Sequence, residues 1–159
     1  MKIRVGWGYD VHRFAQGREL WLGGVKIESE RGLDGHSDAD VLLHALCDAL
    51  LGAAGKRDIG FHFPNNDPRW KGADSKTLLA DVMKIVAGDG FAVQNADLTV
   101  VAEAPKINPY VPQIRLIVAG LLNVAPECVA LKATTNEGMG FVGRGEGIAA
   151  TAAVLLVAD

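Results

Sequence analysis

The segment from Asp38 to Ala53 most constrains the fold. Val41, Leu42, Leu43, Ala45, Leu46, Cys47, Ala49 and Leu50 leave it almost no polar face. A helix of this kind cannot lie on a surface and has to be enclosed. Ser37, with Asp40 three residues on, marks its start as a capping box. The run Gly147 to Val157 adds a second constraint. A glycine-rich loop precedes it, and it reads as a strand. Ile148, Ala150, Ala152, Val154 and Leu156 alternate with Ala149, Thr151, Ala153, Leu155 and Val157. Neither face is polar, so both need cover. Helices can cover one face. Other subunits are the natural cover for the second, which points to a homo-oligomer packed sheet against sheet.

The remaining segments fit around this pair. Lys2 to Tyr9 alternates as a strand, and Leu20 to Ile27, broken at Gly23-Gly24, reads as a short hairpin. Arg57 to Asp74 reads as a loop and Ser75 to Ala87 as a helix. Ala92 to Ala102 reads as a strand, Pro109 to Leu122 as a helix and Val129 to Ala133 as a strand. The expected fold is α/β with α+β character: a four-stranded mixed sheet with helices on one face. The chain has 159 residues, and no linker separates two domains, so residues 1–159 are read as one domain.

Composition narrows the function classes. A net charge of −3 offers no broad basic face to nucleic acid. No apolar run approaches the roughly 20 residues needed to span a bilayer. The first residues lack a signal-peptide core. Cys47 and Cys128 are expected as reduced thiols. A cytoplasmic location follows as an expectation.

There are four histidines: His12, His36, His44 and His62. Asp10 and His12 are two apart where a strand meets a loop, so both point to one side. His44 sits among leucines with Asp40 and Asp48 one turn either side. Two readings fit: a core histidine bonded to a carboxylate, or a metal-bound imidazole oriented by those carboxylates. Asp10, His12 and His44 together would leave zinc an open fourth position, as working sites do. Further segments hold groups suited to phosphates or diols. Gly35-His36-Ser37 leads into the buried helix, whose N-terminus favours an anion. Asp58-Ile59-Gly60 pairs a carboxylate with flexible backbone. Ala104-Pro105-Lys106 ends a strand with a lone cation, and Ala133 to Glu137 ends another with hydroxyls and a carboxylate. Each alone is explained by a capped turn; their number at strand ends and helix starts points to a site.

In order along the chain stand GWGYDVHRF, GHSDADVLLHALCDALLGA, DIGFHFPNNDPRWKGADS, AEAPK and ATTNEGMGFVGRGEGIA. Together they resemble the signature segments of the 2-C-methyl-D-erythritol 2,4-cyclodiphosphate synthases of the non-mevalonate isoprenoid pathway. The resemblance covers essentially the whole chain and fits the stand-alone form of the enzyme.

The resemblance implies zinc on Asp10, His12 and His44, and substrate contact at Asp10, Val11 and His12. It implies phosphate contacts at His36 and Ser37, with His36 aiding the transition state. Asp58, Ile59 and Gly60 match the segment that meets the erythritol hydroxyls. Phe63, Pro64, Asn65, Asn66 and Asp67 match a mobile substrate loop. Ala102, Glu103, Ala104, Pro105, Lys106, Ile107 and Asn108 match the wall facing cytidine and its diphosphate. Thr134, Thr135, Asn136 and Glu137 match the opposite side, with Thr135 near the transferred phosphate and Glu137 on a second divalent ion, Mg²⁺ or Mn²⁺. Phe141 and Arg144 match positions near a trimer axis. The implied assembly is a homotrimer with sites between adjacent chains. Asn65-Asn66 and Ile107-Asn108 depart from the commoner family pattern.

The implied reaction is intramolecular. The 2-phosphate of 4-diphosphocytidyl-2-C-methyl-D-erythritol 2-phosphate attacks its own β-phosphorus, and CMP leaves. The nucleophile is already an anion, so no general base is needed, and the work is positioning and charge neutralisation. Two rivals stay open on sequence. A zinc hydrolase would need a carboxylate poised to activate water. The other is a structural zinc protein or a trimeric binding module; an Asp-containing three-ligand site with an open position argues against purely structural zinc.

Overall fold

A computed structural model describes all 159 residues, Met1 to Asp159. Its centre is helix α1, Val41–Ala54, in which Gly52 is the one exposed residue. The sheet it packs on is built from β1 (Lys2–Ala15), β4 (Gly32–Leu33), β5 (Ala92–Val101), β6 (Val129–Thr134) and β7 (Gly147–Ala158). The order is β4-β1-β7-β5-β6. All its pairs are antiparallel except β5 with β6, which is parallel. A hairpin of β2 (Leu20–Leu22) and β3 (Val25–Ile27) forms a separate two-stranded sheet. Helix α2 (Ile59–His62), helix α3 (Ser75–Gly88), helix α4 (Val111–Leu122) and the short α5 (Gly140–Gly143) complete the chain. Helix α1 packs on β1 and β7, α3 packs on α1, and α4 packs on β6.

The mixed sheet and one-sided helices match expectation, but the sheet has five strands. The extra one, β4, is two residues long, too short to carry a period in sequence. β1 runs to Ala15 rather than ending at Tyr9. Its pairing with β7 continues through Asp10↔Ala150, His12↔Ile148 and Arg13↔Gly147, so its polar residues remain in the strand and turn into a cleft. Ser37 does not cap the buried helix. Asp40 does, its side chain accepting from Leu43 N–H at 3.1 Å. The same carboxylate accepts from Gly23 and Gly24 N–H at 2.9 and 2.7 Å, pinning the hairpin to α1. The segment read as a loop from Arg57 to Asp74 contains α2 and a 3-10 turn at Pro68–Trp70.

Close approach of α1 to β1 depends on two glycines. A Cβ at Gly6 would lie 1.9 Å from the Ala49 carbonyl oxygen, and one at Gly8 2.0 Å from that of Ala45. Only a residue without a side chain fits there. On its other face β1 presents Ile3, Val5, Trp7, Tyr9 and Val11, all exposed, with Val5 at 74% and Trp7 at 66%. An apolar strip of this kind marks a surface made for contact. No helix is long and apolar enough to cross a membrane.

Candidate metal centre and substrate cleft

Period-2 alternation places Gly6, Gly8, Asp10 and His12 on the helix-facing side of β1. The glycines bring α1 close, and one turn along the helix His44 meets Asp10 and His12. Asp10 Oδ2 lies 3.0 Å from His12 Nε2 and 3.1 Å from His44 Nδ1, and the two nitrogens are 3.3 Å apart. Ligand atoms held tetrahedrally around zinc at about 2.0–2.1 Å stand roughly 3.3–3.4 Å from one another. The cluster therefore has the edge lengths of a zinc tetrahedron to within a few tenths of an ångström, and these residues fit a metal ion.

The surrounding bonds agree. His12 Nδ1 is 2.6 Å from the Asp34 carbonyl oxygen, which can only accept, so in the neutral ring Nε2 keeps its lone pair. Asp10 Oδ1 is held by Val11 N–H at 2.9 Å, which frees Oδ2. Burial works to raise the Asp10 carboxyl, but the hydrogen bonds and charges of His12 and His44 outweigh it and hold its pKa at about 2. Burial likewise opposes the charged form of His12. The bond and charge of Asp10, helped by Asp34, prevail and set its pKa above the usual histidine value.

Neither carboxylate flanking His44 in sequence touches its ring. Asp40 is taken up by the hairpin and the helix cap. Asp48 accepts from Ile59 N–H at 2.7 Å and so positions the Asp58–Gly60 segment. Burial pushes the carboxyls of both Asp40 and Asp48 up, against the amide donors that face them. The partners of His44 Nε2 are instead Ser75 Oγ at 2.9 Å and Ser37 Oγ at 3.1 Å. Ser75 was not signalled in sequence, being 31 residues away and read as a helix start.

The cluster opens into a cleft of about 200 Å³ that is also lined by His36, Ser37, Ile59, Gly60, Phe63 and Asn65. His36 Nε2 is 3.2 Å from the Asp67 carbonyl oxygen, so the 63–67 loop touches the Gly35-His36-Ser37 segment. Phe63 is anchored edge-on to Trp70, centroids 4.9 Å apart. Pro64 is half-buried and Asn66 exposed, and Asp67 pairs with Arg69. Asp58 caps α2 through Phe61 N–H at 2.9 Å. His62 turns away to the Lys56 carbonyl oxygen. Gly35 to Ser37 does not sit at a helix N-terminus, because α1 begins only at Val41.

A second cleft, about 430 Å³, gathers Ala102, Glu103, Pro105, Lys106, Ile107 and Asn108 with Thr134 and Thr135; Ala104 is exposed beside it. Glu103 Oε1 accepts from Asn136 N–H at 2.8 Å and Gly138 N–H at 3.2 Å. Between them Glu137 takes a left-handed φ of 53°. Glu103 is thus a strut for the loop that carries Glu137, a role its spacing did not show. The two clefts share no residue. Yet Asp10 pairs with Ala150, Ala150 with Val100, and Val100 with Ala133. Both clefts therefore lie at one end of the sheet, three strands apart, roughly 14 Å. Val11 and Phe141 line a third hollow beside His12, and Arg144 pairs with Glu146 at 2.6 Å.

Fold and site together define a single α/β domain whose sheet end carries a prospective divalent-metal centre and a separate polar cleft. Residues 3–157 match the model of the YgbB family. The chain is 55% identical to the 2-C-methyl-D-erythritol 2,4-cyclodiphosphate synthase of Porphyromonas gingivalis, over 98% of this chain and 96% of that one. It is 61% identical to the Symbiobacterium thermophilum enzyme of the same name, over 96% and 97%. A solved structure of 2C-methyl-D-erythritol-2,4-cyclodiphosphate synthase in a CDP-bound form superposes with a TM-score of 0.89. It is 37% identical, over 97% of this chain and 100% of that one. The chain belongs to the YgbB family, the 2-C-methyl-D-erythritol 2,4-cyclodiphosphate synthases.

Proposed function

We propose that this single-domain chain, residues 1–159, acts in the cytoplasm as a homotrimer with sites between neighbouring protomers. There it converts 4-diphosphocytidyl-2-C-methyl-D-erythritol 2-phosphate to 2-C-methyl-D-erythritol 2,4-cyclodiphosphate. A 2-phosphate oxygen bonds to the β-phosphorus, the bond from that phosphorus to the CMP oxygen breaks, and CMP leaves. The observation that carries the reading is the Asp10–His12–His44 tetrahedron opening beside His36, Ser37 and Gly60.

In this reading His36 and Ser37 donate to phosphate oxygens, and Asp58 with the Ile59–Gly60 backbone holds the erythritol hydroxyls. Lys106 brings a cation to the diphosphate, and the Thr135 hydroxyl donates to the transferred phosphoryl group. Zinc on the Asp10 set, with Mg²⁺ or Mn²⁺ at Glu137, would supply positive charge against phosphate oxygens. No residue needs to remove a proton, because the attacking 2-phosphate is already an anion.

The trimer is supported by the exposed apolar face of β1 and by two half-sites at one end of one sheet. In a cyclic trimer every interface is head-to-tail, so the zinc half of one chain meets the cytidine half of the next. His44→Ala spoils the first half and Lys106→Ala the second, and each alone is expected to be nearly inactive. Unfolded together in equal amounts and refolded, the mixture should form an intact site at about one position in four and recover roughly a quarter of full activity. No recovery, with mixed trimers verified by native mass spectrometry, would place both halves in one chain. Metal analysis and assay with and without chelator, with phosphorus NMR of the product, separate the reading from a hydrolase, whose product is acyclic.

A further inference from the structure

His44 stands between partners that favour opposite tautomers. Its Nδ1 faces Asp10 Oδ2 at 3.1 Å, and a proton there would be drawn to the carboxylate and would block the lone pair a metal needs. Its Nε2 faces two hydroxyls, Ser75 Oγ and Ser37 Oγ. A hydroxyl can donate or accept, so by itself it selects neither form.

The Ser75 hydroxyl is not free to choose. It donates to Asp38 Oδ1, while Asp38 Oδ2 accepts the Ser75 backbone N–H at 3.0 Å. A carboxylate can only accept, so the hydroxyl proton points at Asp38 and the oxygen lone pairs point at His44. The Nε2 atom then has to donate, and Nδ1 keeps its lone pair. Ser37 does not do this: its oxygen accepts from Ala39 N–H at 3.2 Å, and its own proton remains available to His44. Ser75 is fully buried at the first residue of α3, where no solvent competes for its hydroxyl. Asp38 lines a different hollow, with Trp21, Gly72 and Asp74, so it acts from outside the substrate cleft.

We propose that Asp38 and Ser75 are positioning residues that fix His44 in its Nε2–H form and so present Nδ1 to the metal. The inference rests on the metal reading of Asp10, His12 and His44. His12 reaches the same end by the reverse route, with Nδ1–H fixed by the Asp34 carbonyl and Nε2 turned inward. One ligand tautomer is thus set by main chain and the other by a relay reaching 37 residues along the sequence. Outer partners of this kind typically govern metal affinity by about 10–100-fold.

Two readouts besides turnover test this. In metal-free, ¹⁵N-histidine-labelled enzyme at a pH where imidazoles are neutral, long-range ¹H–¹⁵N correlation should place the His44 proton on Nε2. A proton on Nδ1 in the unaltered protein overturns the proposal without any variant. Ser75→Ala should shift His44 toward Nδ1–H and weaken zinc, in chelator competition, by about tenfold or more. Asp38→Asn has one acceptor oxygen where the carboxylate has two, and should weaken zinc in the same direction. An Nε2–H tautomer kept in Ser75→Ala, or zinc affinity within about twofold of the parent, would reduce the pair to packing and defeat the idea. Unaltered protein that binds no zinc would instead defeat the metal reading, and the tautomer result would still stand.

Discussion

Replacing Gly8 by alanine tests whether the α1–β1 approach sets both stability and the metal centre. The new Cβ would lie 2.0 Å from the Ala45 carbonyl oxygen and 2.7 Å from the Ala49 nitrogen. Both obstacles are helix backbone, so no rotamer change relieves the clash, and strand and helix have to part by about 1 Å. Overpacking costs about 1–3 kcal/mol, and rigid backbone on both sides places this case near the top of that range. For a chain of this size about 3 kcal/mol lowers the unfolding midpoint by roughly 6–12 °C. Asp10 follows Gly8 on the same face of β1, and His44 precedes Ala45 on α1. The Asp10 Oδ2 to His44 Nδ1 distance, now 3.1 Å, would open to about 4 Å, where coordination tolerates only a few tenths of an ångström. Zinc affinity should fall at least about tenfold. Calorimetry at fixed protomer concentration and chelator competition measure the two effects. A midpoint within about 2 °C of the parent with unchanged zinc affinity would refute the reasoning.

His36→Ala should keep zinc at the parent content by metal analysis yet turn over slowly; zinc loss would make His36 a ligand. Glu103→Ala leaves the Asn136 and Gly138 amides without their acceptor, and Mn²⁺ binding followed by EPR should weaken about tenfold while zinc content holds. Zinc affinity should fall as pH drops through the raised pKa of His12, because proton and metal compete for one nitrogen. Asp10, at about 2, stays ionised across that window, so a side-chain carboxyl ¹³C signal of Asp10 that titrates between pH 4 and 6 in metal-free protein would contradict its assigned environment.

Much of the site was legible because short periods encode it. A two-residue spacing puts Asp10 and His12 on one face, and an apolar helix delivers His44 to meet them. What escaped has no local signal. Asp10, His12 and Arg13 break the apolar alternation of β1, so in sequence the strand reads as stopping at Tyr9 although it runs to Ala15. Asp40 outcompeted Ser37 as the cap because its carboxylate serves the hairpin amides and the helix at once. Sequence neighbours of His44 were natural suspects for its partners, yet Ser75 arrives from the start of another helix. Glu103 does line the second cleft, and its further part, accepting from backbone N–H groups 33 and 35 residues on, leaves no local trace.

Trp7 gives the exposed strip on β1 an optical use. The chain has three tryptophans, and they occupy different surroundings. Trp70 lies edge-on to Phe63 at the cleft, Trp21 donates to Glu19 at the hairpin, and Trp7 stacks loosely on Tyr9, centroids 6.3 Å apart, on the open face. Indole emission moves to shorter wavelength when its surroundings become dry. A neighbouring protomer covering β1 would dry the surroundings of Trp7, which is 66% exposed in the single chain. The unlabelled protein therefore carries its own dilution sensor: a red shift on dilution would register protomers coming apart, and Trp7→Phe should silence that shift while leaving the Trp70 signal to follow events in the cleft.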